Sequence, residues 1–171
     1  IDDNYMSSQY HLMGLDGEVV TSFESEGKLG RAEFSPDGRY LAMIRAADYN
    51  DPSAGTLFVY DTREQEHRNV LPDYKGSIMD FSWRTEEEII WLGHRGTESE
   101  VQALTLKFLE SRSLLETGEA IFTSLDGEAG KSEFVLTGHR PSHPNEAFKY
   151  SNGRLERLTD SNPWLADVEM P

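Results

Sequence analysis

The chain has 171 residues, the length of one ordinary domain, and carries a formal net charge of −15 with a pI near 4.6. So acidic a composition lacks the basic patch that phosphate contacts need, which argues against nucleic acids and anionic membranes as partners. The absence of cysteine excludes disulfides and thiolate zinc sites, while an aromatic share of 11% is enough for a packed core.

No apolar run approaches the roughly 18 residues of a membrane-spanning helix. The first residues, Ile1-Asp2-Asp3-Asn4, do not form a signal peptide and lack an initiator methionine. We therefore expect a piece of a longer protein. We expect that protein to be cytoplasmic, or periplasmic if a signal peptide has been removed.

A repeated hairpin pattern decides the fold. The segment FSPDGRYLA at 34–42 reads as an apolar strand, a Pro-Asp-Gly turn and a second apolar strand, because Pro presets φ and Gly accepts the positive φ that closes a tight turn. The pattern recurs at 81–91 and at 122–136. Aligned on Ser35, Ser82 and Ser124, the copies lie 47 and 42 residues apart. A period in the forties with several short strands per unit is typical of propeller blades.

In chain order, the sequence predicts an outer hairpin, two blades of four strands, and between them a blade whose fourth strand is ambiguous. The region 106–116 fits a strand and a short helix equally well. Asn152-Gly153 is a two-residue hairpin turn. The predicted strands are 9–13 and 19–23; then 31–34, 40–45, 56–60 and 67–71; then 77–83, 88–92 and 100–106; and finally 119–123, 133–137, 146–150 and 155–159.

A second repeat supports this register. The second strand ends in Gly93-His94-Arg95 in one unit and in Gly138-His139-Arg140 in the next, 45 residues later. Each copy precedes a polar loop and a glutamate that begins the third strand, Glu100 or Glu146. The blades therefore look like copies of one ancestral unit.

These residues resemble a known family. The FSPDGRYLA segment is similar to the WD40-like repeat of TolB-type propellers and of the propellers of prolyl oligopeptidase-type serine peptidases. The C-terminal stretch at 142–165 resembles the last blade of acylaminoacyl-peptidase and dipeptidyl-peptidase relatives. In that family this blade leads into an α/β-hydrolase domain, and here the chain stops at Pro171.

One departure from the family is decisive for activity. The family's nucleophile lies in a G-x-S-x-G elbow between a strand and a helix, and no such motif occurs in this sequence. The resemblance therefore implies a chain without catalytic residues. Any peptidase activity would belong to a domain that the 171 residues do not include.

The candidate substrate-orienting residues are His94, Arg95, His139 and Arg140, as cations that could hold a peptide carboxylate. The alternative is that they make hydrogen bonds and ion pairs between blades, which their repetition favours. His139 and His143 have the spacing of metal ligands on a helix, but Pro141 and Pro144 prevent a helix there, so we expect neither a metal site nor a cofactor.

Two further groups have simple structural interpretations. Glu86, Glu87 and Glu88 could be compared with the paired glutamates that hold the substrate amine in dipeptidyl peptidases, but their place in the repeat predicts a solvated hairpin tip. Trp83 and Trp91 should fill the core between sheets, and Trp164 should anchor the strand that leaves the last blade.

We therefore expect an all-β fold. It is a partial β-propeller of about three and a half four-stranded antiparallel blades, formed by residues 1–171 as a single domain ahead of an absent hydrolase. The expected function is the non-catalytic part of a serine peptidase that gates peptide access. The alternative is a TolB-like scaffold that binds a protein and has no hydrolase. The expected partners are the rest of the propeller, the hydrolase domain, a peptide substrate and a second copy of the chain, joined through apolar blade faces that half a ring leaves exposed.

Overall fold

The computed structural model describes residues 8–115 and 117–168 and confirms the predicted fold class. Its strands form one two-stranded and three four-stranded antiparallel sheets, in the order of the chain within each sheet. The sheets comprise β1 (Gln9–Met13) and β2 (Val19–Glu24); β3 (Leu29–Phe34), β4 (Tyr40–Ala46), β5 (Gly55–Asp61) and β6 (Glu66–Asn69); β7 (Ser77–Trp83), β8 (Glu88–Arg95), β9 (Glu98–Thr105) and β10 (Glu110–Leu115); and β11 (Ile121–Gly127), β12 (Phe134–Arg140), β13 (His143–Ser151) and β14 (Arg154–Arg157).

The turn chemistry read from the sequence is present in the structure. In the β3–β4 turn, the Ser35 hydroxyl donates to Asp37 at 2.6 Å and accepts the backbone N–H of Tyr40 at 2.9 Å. Gly38 has φ of 72° there, and Asn152 and Gly153 have φ of 53° and 79° between β13 and β14. These left-handed conformations explain why glycine and asparagine occupy the turns.

Apolar side chains fill the spaces between successive sheets, as expected for propeller blades packed face to face. Trp83 and Trp91, each 2% exposed, lie in the core between the β3–β6 and β7–β10 sheets, which confirms their predicted place. Phe122 and Phe148 belong to the next core, between the β7–β10 and β11–β14 sheets. Phe23 packs the β1–β2 hairpin against the other face of the β3–β6 sheet.

The structure corrects the alignment of the third copy of the hairpin pattern. We expected residues 122–127 to form a turn like 34–38, but they belong to β11, and the turn follows at 128–133. The reason is burial: Phe122 and Leu125 both lie in the core, separated by an irregularity in the strand pairing between Phe122 and Ser124, so the strand continues through Asp126 to Gly127. The strand ends Phe34, Trp83 and Gly127 are the structural equivalents, since each faces the start of the second strand of its sheet, at Leu41, Ile89 and Phe134.

The structure also shows the conformation of the segment before residue 116 and of the segment around Trp164. The ambiguous segment before residue 116 is a strand, β10, and Leu114 and Leu115 pack against the core beside it. Trp164 lies in a short 3-10 helix, Pro163–Asp167, and is 60% exposed, so the predicted anchoring role is wrong for this side chain. Across 8–115 and 117–168, no helix has the length and apolar character needed to cross a bilayer.

The outward face of the last sheet differs from our expectation of an apolar surface. Along β12 the exposed positions alternate as Val135, Thr137 and His139, and only the first is apolar. On the β1–β2 hairpin, in contrast, Met13 and Val20 are 53% and 58% exposed. The segment after β14 also exposes apolar side chains, at Leu158, Trp164 and Val168. The outward faces of the first and last sheets are therefore chemically different.

Candidate functional site

Arg31 lies where β3, β7 and β11, the inner strands of the three four-stranded sheets, come together. Its guanidinium is 2.7 Å from the carboxylate of Glu33, 3.3 Å from that of Asp80 and 3.2 Å from that of Asp126. Burial alone would lower the pKa of Arg31, but the hydrogen bond to Asp126 and the charges of Glu33 and Asp80 raise it above its ordinary value. We call Arg31, Glu33, Asp80 and Asp126 the axial cluster.

Asp80, like Arg31, touches all three sheets. Besides Arg31, its carboxylate accepts the backbone N–H of Leu125 in β11 at 2.9 Å and that of Phe81 in its own strand at 2.9 Å. The Asp80 side chain is only 17% exposed. No sequence motif indicates this cluster, because its members come from separate strands and only the fold brings them together.

The four predicted substrate-orienting residues lie at the ends of β8 and β12, as expected. The structure pairs each of them with a different partner. Nε2 of His94 donates to the carbonyl of Phe122 at 2.6 Å, across the boundary between two sheets, which fixes the position of the His94 proton. Arg95 pairs with Glu100 at 2.6 Å, and Arg140 pairs with Glu119 at 2.8 Å. His139 forms a hydrogen bond with Asn145 at 3.2 Å.

The alternative that the sequence left open was hydrogen bonds and ion pairs between blades, and among the four residues only His94 makes such a contact. His94 joins neighbouring sheets, while Arg95 and His139 bind within their own sheets. Arg140 joins the residues just before β11 to the end of β12. A role for the four residues in orienting a substrate stays a prediction.

A buried glutamate stands opposite each glycine of the repeated Gly-His-Arg segment. Gly93 pairs with Glu100, and Gly138 pairs with Glu146. Glu100 is 7% exposed and Glu146 is 2% exposed. Buried carboxylates are uncommon unless they are paired, so a buried glutamate at the same position of two blades is a repeated feature that needs hydrogen-bond partners. The sequence shows the repeat but gives no sign of the burial.

Glu146 is saturated with hydrogen bonds from the segment that follows β14. The Thr159 hydroxyl donates to it, the Ser161 backbone N–H donates at 2.7 Å, and the Ser161 hydroxyl donates at 3.1 Å. Arg157 adds an ion pair at 3.5 Å. The pKa of Glu146 is lowered, first by the Thr159 hydrogen bond and then by the Ser161 and Arg157 contacts, which outweigh the effect of burial.

Glu100 has fewer partners than Glu146. Oε2 accepts from the Gln102 amide at 2.8 Å. Oε1 is 2.6 Å from Arg95 Nε but has no contact of hydrogen-bond geometry. Trp91 Nε1 and the Tyr74 hydroxyl are also buried without a hydrogen-bond partner in the part of the chain that the structure describes.

All of these side chains line one cavity of about 470 Å³, which we call the inter-blade pocket. It lies between the connector from β6 to β7 and the face of the β7–β10 sheet. Tyr74, on the connector, packs edge-on against Trp91 with ring centres 5.0 Å apart. Burial, with a further effect of the nearby Glu100 charge, raises the pKa of Tyr74 to about 12.

The predicted glutamate run occupies the β7–β8 turn, where Glu86 and Glu87 are exposed and Glu88 begins β8. His139 and His143 lie in two neighbouring strands, β12 and β13. Within 8–115 and 117–168, no group of three or more His, Cys, Asp and Glu side chains is arranged to hold a metal ion.

Comparison with the profiles of known protein families finds no match. Among curated proteins, the Ras-related protein Rab-3C of Bos taurus and of Mus musculus is 24% identical over 89 residues, which are 52% of this chain and 39% of that protein. The chain thus spans well under half the length of these relatives.

The structure does not support a nucleotide-binding loop of the Ras type. Gly130-Lys131-Ser132 matches the end of the G-x-x-x-x-G-K-[ST] motif, but Leu125 stands where the first glycine belongs. The motif also needs a strand that leads into a helix, whereas this segment is the turn between β11 and β12. Lys131 pairs with Glu128 at 2.6 Å within that turn.

Solved structures give a consistent answer about the fold. The β-propeller domain of the trilobed protease from Pyrococcus furiosus matches 89% of this chain and 48% of its own, with a TM-score of 0.61 at 14% identity. TolB from Acinetobacter baumannii matches 90% of this chain and 38% of its own, with a TM-score of 0.64 at 12% identity. The acylaminoacyl peptidase from Pyrococcus horikoshii matches 89% of this chain and 28% of its own, with a TM-score of 0.57 at 15% identity.

The chain therefore spans less than half of each of these three proteins, which matches a propeller that is itself incomplete. The likeness lies in the fold, since all three identities are at or below 15%. The resemblance expected from the hairpin repeat is confirmed at that level. This chain is part of a β-propeller of the kind found in peptidases of the acylaminoacyl-peptidase type and in TolB.

Proposed function

We propose that the chain is the non-catalytic propeller portion of a prolyl oligopeptidase-type serine peptidase, and that it controls which peptides reach a hydrolase domain. The observation that carries the proposal is the match of 89% of this chain to the propellers of two peptidases, combined with a sequence that lacks a G-x-S-x-G elbow. The partner domain, the peptide substrate and a cytoplasmic location are parts of the same proposal.

The axial cluster suggests how access would be controlled. A propeller admits substrate through its centre only as far as the inner strands allow, and here Arg31 and Asp80 connect β3, β7 and β11 to one another. Tied strands cannot separate to admit a folded protein. One cation and three carboxylates also give the centre a negative balance, which would favour a peptide ammonium over a peptide carboxylate.

The first test is the reading frame downstream of Pro171. A G-x-S-x-G motif between a strand and a helix within about two hundred residues, the span of a typical α/β domain, supports the proposal. A stop codon, or a downstream domain of another class, contradicts it.

The second test uses the whole peptidase. Replacing Asp80 with alanine should increase cleavage of a long unfolded polypeptide relative to that of a short peptide, because β7 loses the contacts that Asp80 makes with β3 and β11. Arg39→Ala is the matched control, since Arg39 pairs with Asp61 within its own sheet at 2.8 Å. Equal ratios in the Asp80→Ala variant and the wild type would contradict a gating role.

A TolB-like binding scaffold is the second candidate. It is supported by the match of 90% of this chain to TolB, with a TM-score of 0.64. The downstream reading frame separates the two candidates. In addition, a scaffold should retain a protein partner when the chain is used as bait in its own cells, and the isolated chain should hydrolyse no peptide under either proposal.

A further inference from the structure

We propose that the inter-blade pocket binds a short extended peptide segment that presents a serine or threonine hydroxyl beside an apolar side chain. The site consists of Tyr74, Trp91, Arg95, Glu100 and Gln102, with apolar residues of the β6–β7 connector opposite. It belongs to this chain alone and does not depend on a hydrolase domain.

The hydroxyl follows from two of the three polar atoms of this pocket that lack hydrogen-bond partners, Trp91 Nε1 and Glu100 Oε1; the third is the Tyr74 hydroxyl. Trp91 Nε1 can only donate a hydrogen bond, and the Glu100 carboxylate can only accept one. Trp91 and Glu100 are both more than nine-tenths buried. An ammonium group could satisfy only Glu100 and a carboxylate only Trp91. A hydroxyl can do both, because it accepts through its lone pairs and donates through its hydrogen.

The next blade shows how the repeated glutamate is satisfied. Glu146 occupies the same place as Glu100, opposite the glycine of the Gly-His-Arg repeat. An extended segment of the chain passes over it and supplies the Thr159 and Ser161 hydroxyls together with a backbone N–H. Glu100 receives instead one amide and one guanidinium. A Thr-x-Ser segment from another molecule would complete its hydrogen bonds in the same way.

The shape and lining of the inter-blade pocket suit such a segment. Its volume of about 470 Å³ falls within the usual range of small-ligand sites. Val70, Leu71 and Leu109 are apolar members of its lining, which also includes Glu100, Arg95 and Gln102. Tyr74 packs against Trp91, so in the complex the Tyr74 side chain would shift to open the way to the indole N–H.

The test is an NMR titration of the whole chain with a synthetic peptide copied from residues 155–163, blocked at both ends. The indole N–H signal of Trp91, identified by its loss in Trp91→Phe, should shift in a saturable way. The Trp83 indole N–H donates to the Glu33 carbonyl at 3.0 Å and serves as the internal control, since its signal should stay in place.

Two comparisons test the chemistry of binding. Glu100→Gln should weaken binding about tenfold, the effect of losing a hydrogen bond to a charged group, while Glu98→Gln, at the exposed start of the same strand, should bind like the wild type. On the wild-type protein, a peptide with Thr159→Val and Ser161→Ala should also bind about tenfold more weakly. This second comparison decides the question even if Glu100→Gln does not fold.

The proposal is overturned if the Trp91 signal does not move at millimolar peptide. It is equally overturned if the peptide without hydroxyls binds as tightly as the original. These results are independent of the gating proposal, because they are obtained on residues 1–171 alone and in an assay without catalysis.

Discussion

Asp80 shows how one carboxylate can hold together strands that are far apart in the sequence. It accepts hydrogen bonds from Arg31 in β3 and from the Leu125 backbone in β11, while it lies in β7. β11 is an edge strand of its sheet, so the Leu125 N–H that points away from β12 has no neighbouring strand to accept its hydrogen bond. Here a side chain of the adjacent sheet accepts the hydrogen bond. Asp80 therefore couples three sheets whose backbone hydrogen bonds are otherwise separate.

We predict that Asp80→Ala lowers the free energy of unfolding by about 2 kcal/mol, because it leaves the Leu125 N–H without its acceptor and removes one carboxylate from Arg31. Urea unfolding followed by circular dichroism measures the change. Asp126→Ala is the matched control: its carboxylate binds the same arginine but is 70% exposed, so the loss should stay below about 1 kcal/mol. Similar losses of unfolding free energy in the two variants would show that the hydrogen bond from Leu125 to Asp80 does not stabilise the fold.

The lowered pKa of Glu146 predicts how the stability of the chain depends on pH. Its pKa in the folded chain is below the ordinary 4.5, so the unfolded chain binds the proton more readily. The stabilisation is therefore complete above about pH 4.5 and is lost as the pH falls through the lowered value. Hydrogen bonds from Ser35 and from the Arg39 backbone lower the pKa of Asp37 too, and the same sign applies.

We expect Glu146→Gln to be less stable than the wild type at neutral pH and to lose less stability on acidification. Thermal unfolding at neutral pH and below pH 4.5 measures both effects. Glu156→Gln, at an exposed position of β14, is the control and should follow the wild type. An unchanged acid dependence in Glu146→Gln would show that its hydrogen bonds to the C-terminal segment do not contribute.

At the scale of elements, Gly93 allows the β6–β7 connector to lie against β8. A Cβ atom at Gly93 would meet the Tyr74 hydroxyl and would lie 2.8 Å from the Trp91 ring. Gly93→Ala should therefore destabilise the chain by about 1–3 kcal/mol, the usual effect of overpacking. Combining it with Tyr74→Ala should remove most of the clash, so the two effects on unfolding should be far from additive.

Gly127→Ala is the control for this pair, because the nearest atom to its Cβ would be Phe134 Cβ at 3.3 Å, and Ser82 and Glu133 would lie at ordinary contact distances. It should change stability by less than Gly93→Ala. Additive effects of Gly93→Ala and Tyr74→Ala would contradict the contact that we describe.

The elements themselves were largely predictable, for identifiable reasons. Pro36-Asp37-Gly38 and Asn152-Gly153 impose turn geometry locally, so both hairpins appear where the sequence places them. Asp126-Gly127 has the same letters but lies inside β11, because Phe122 and Leu125 must reach the core and the actual turn uses Gly130 with φ of 83°. At this position the burial of apolar side chains outweighs the local turn propensity of Asp-Gly.

The candidate sites were less predictable than the strands. His94 and Arg95 stand out as a repeated pair, and the structure finds them engaged in contacts within the protein. Tyr74 belongs to no motif, and its burial beside Trp91 and Glu100 depends on how a connector folds onto the next sheet. Contacts of that kind join residues from distant parts of the chain, which a single sequence does not reveal.

At the scale of the whole molecule, the two ends of the partial propeller should behave differently. The β1–β2 hairpin exposes Met13, Leu15 and Val20, and the last sheet exposes mainly polar side chains. We predict that the chain self-associates through the hairpin, since exposed apolar surface favours association. Light scattering over a range of concentrations measures the mass.

The variants separate the two ends. Val20→Asp should reduce association, and Val135→Asp, on the outward face of the last sheet, should not. A monomer at all concentrations would contradict the prediction of self-association. A mass reduced only by Val135→Asp would place the contact at the opposite end of the chain.

The contacts of Glu146 have a mechanical consequence. Edge strands such as β14 are usually easy to peel away, because their hydrogen bonds break one after another under tension. Here the segment beyond β14 is attached to β13 through Thr159 and Ser161. A pull on the C-terminal end would thus load the third strand of the sheet before the fourth could detach. Whatever this blade is joined to, force would enter the propeller through a side-chain clamp and spread over the sheet.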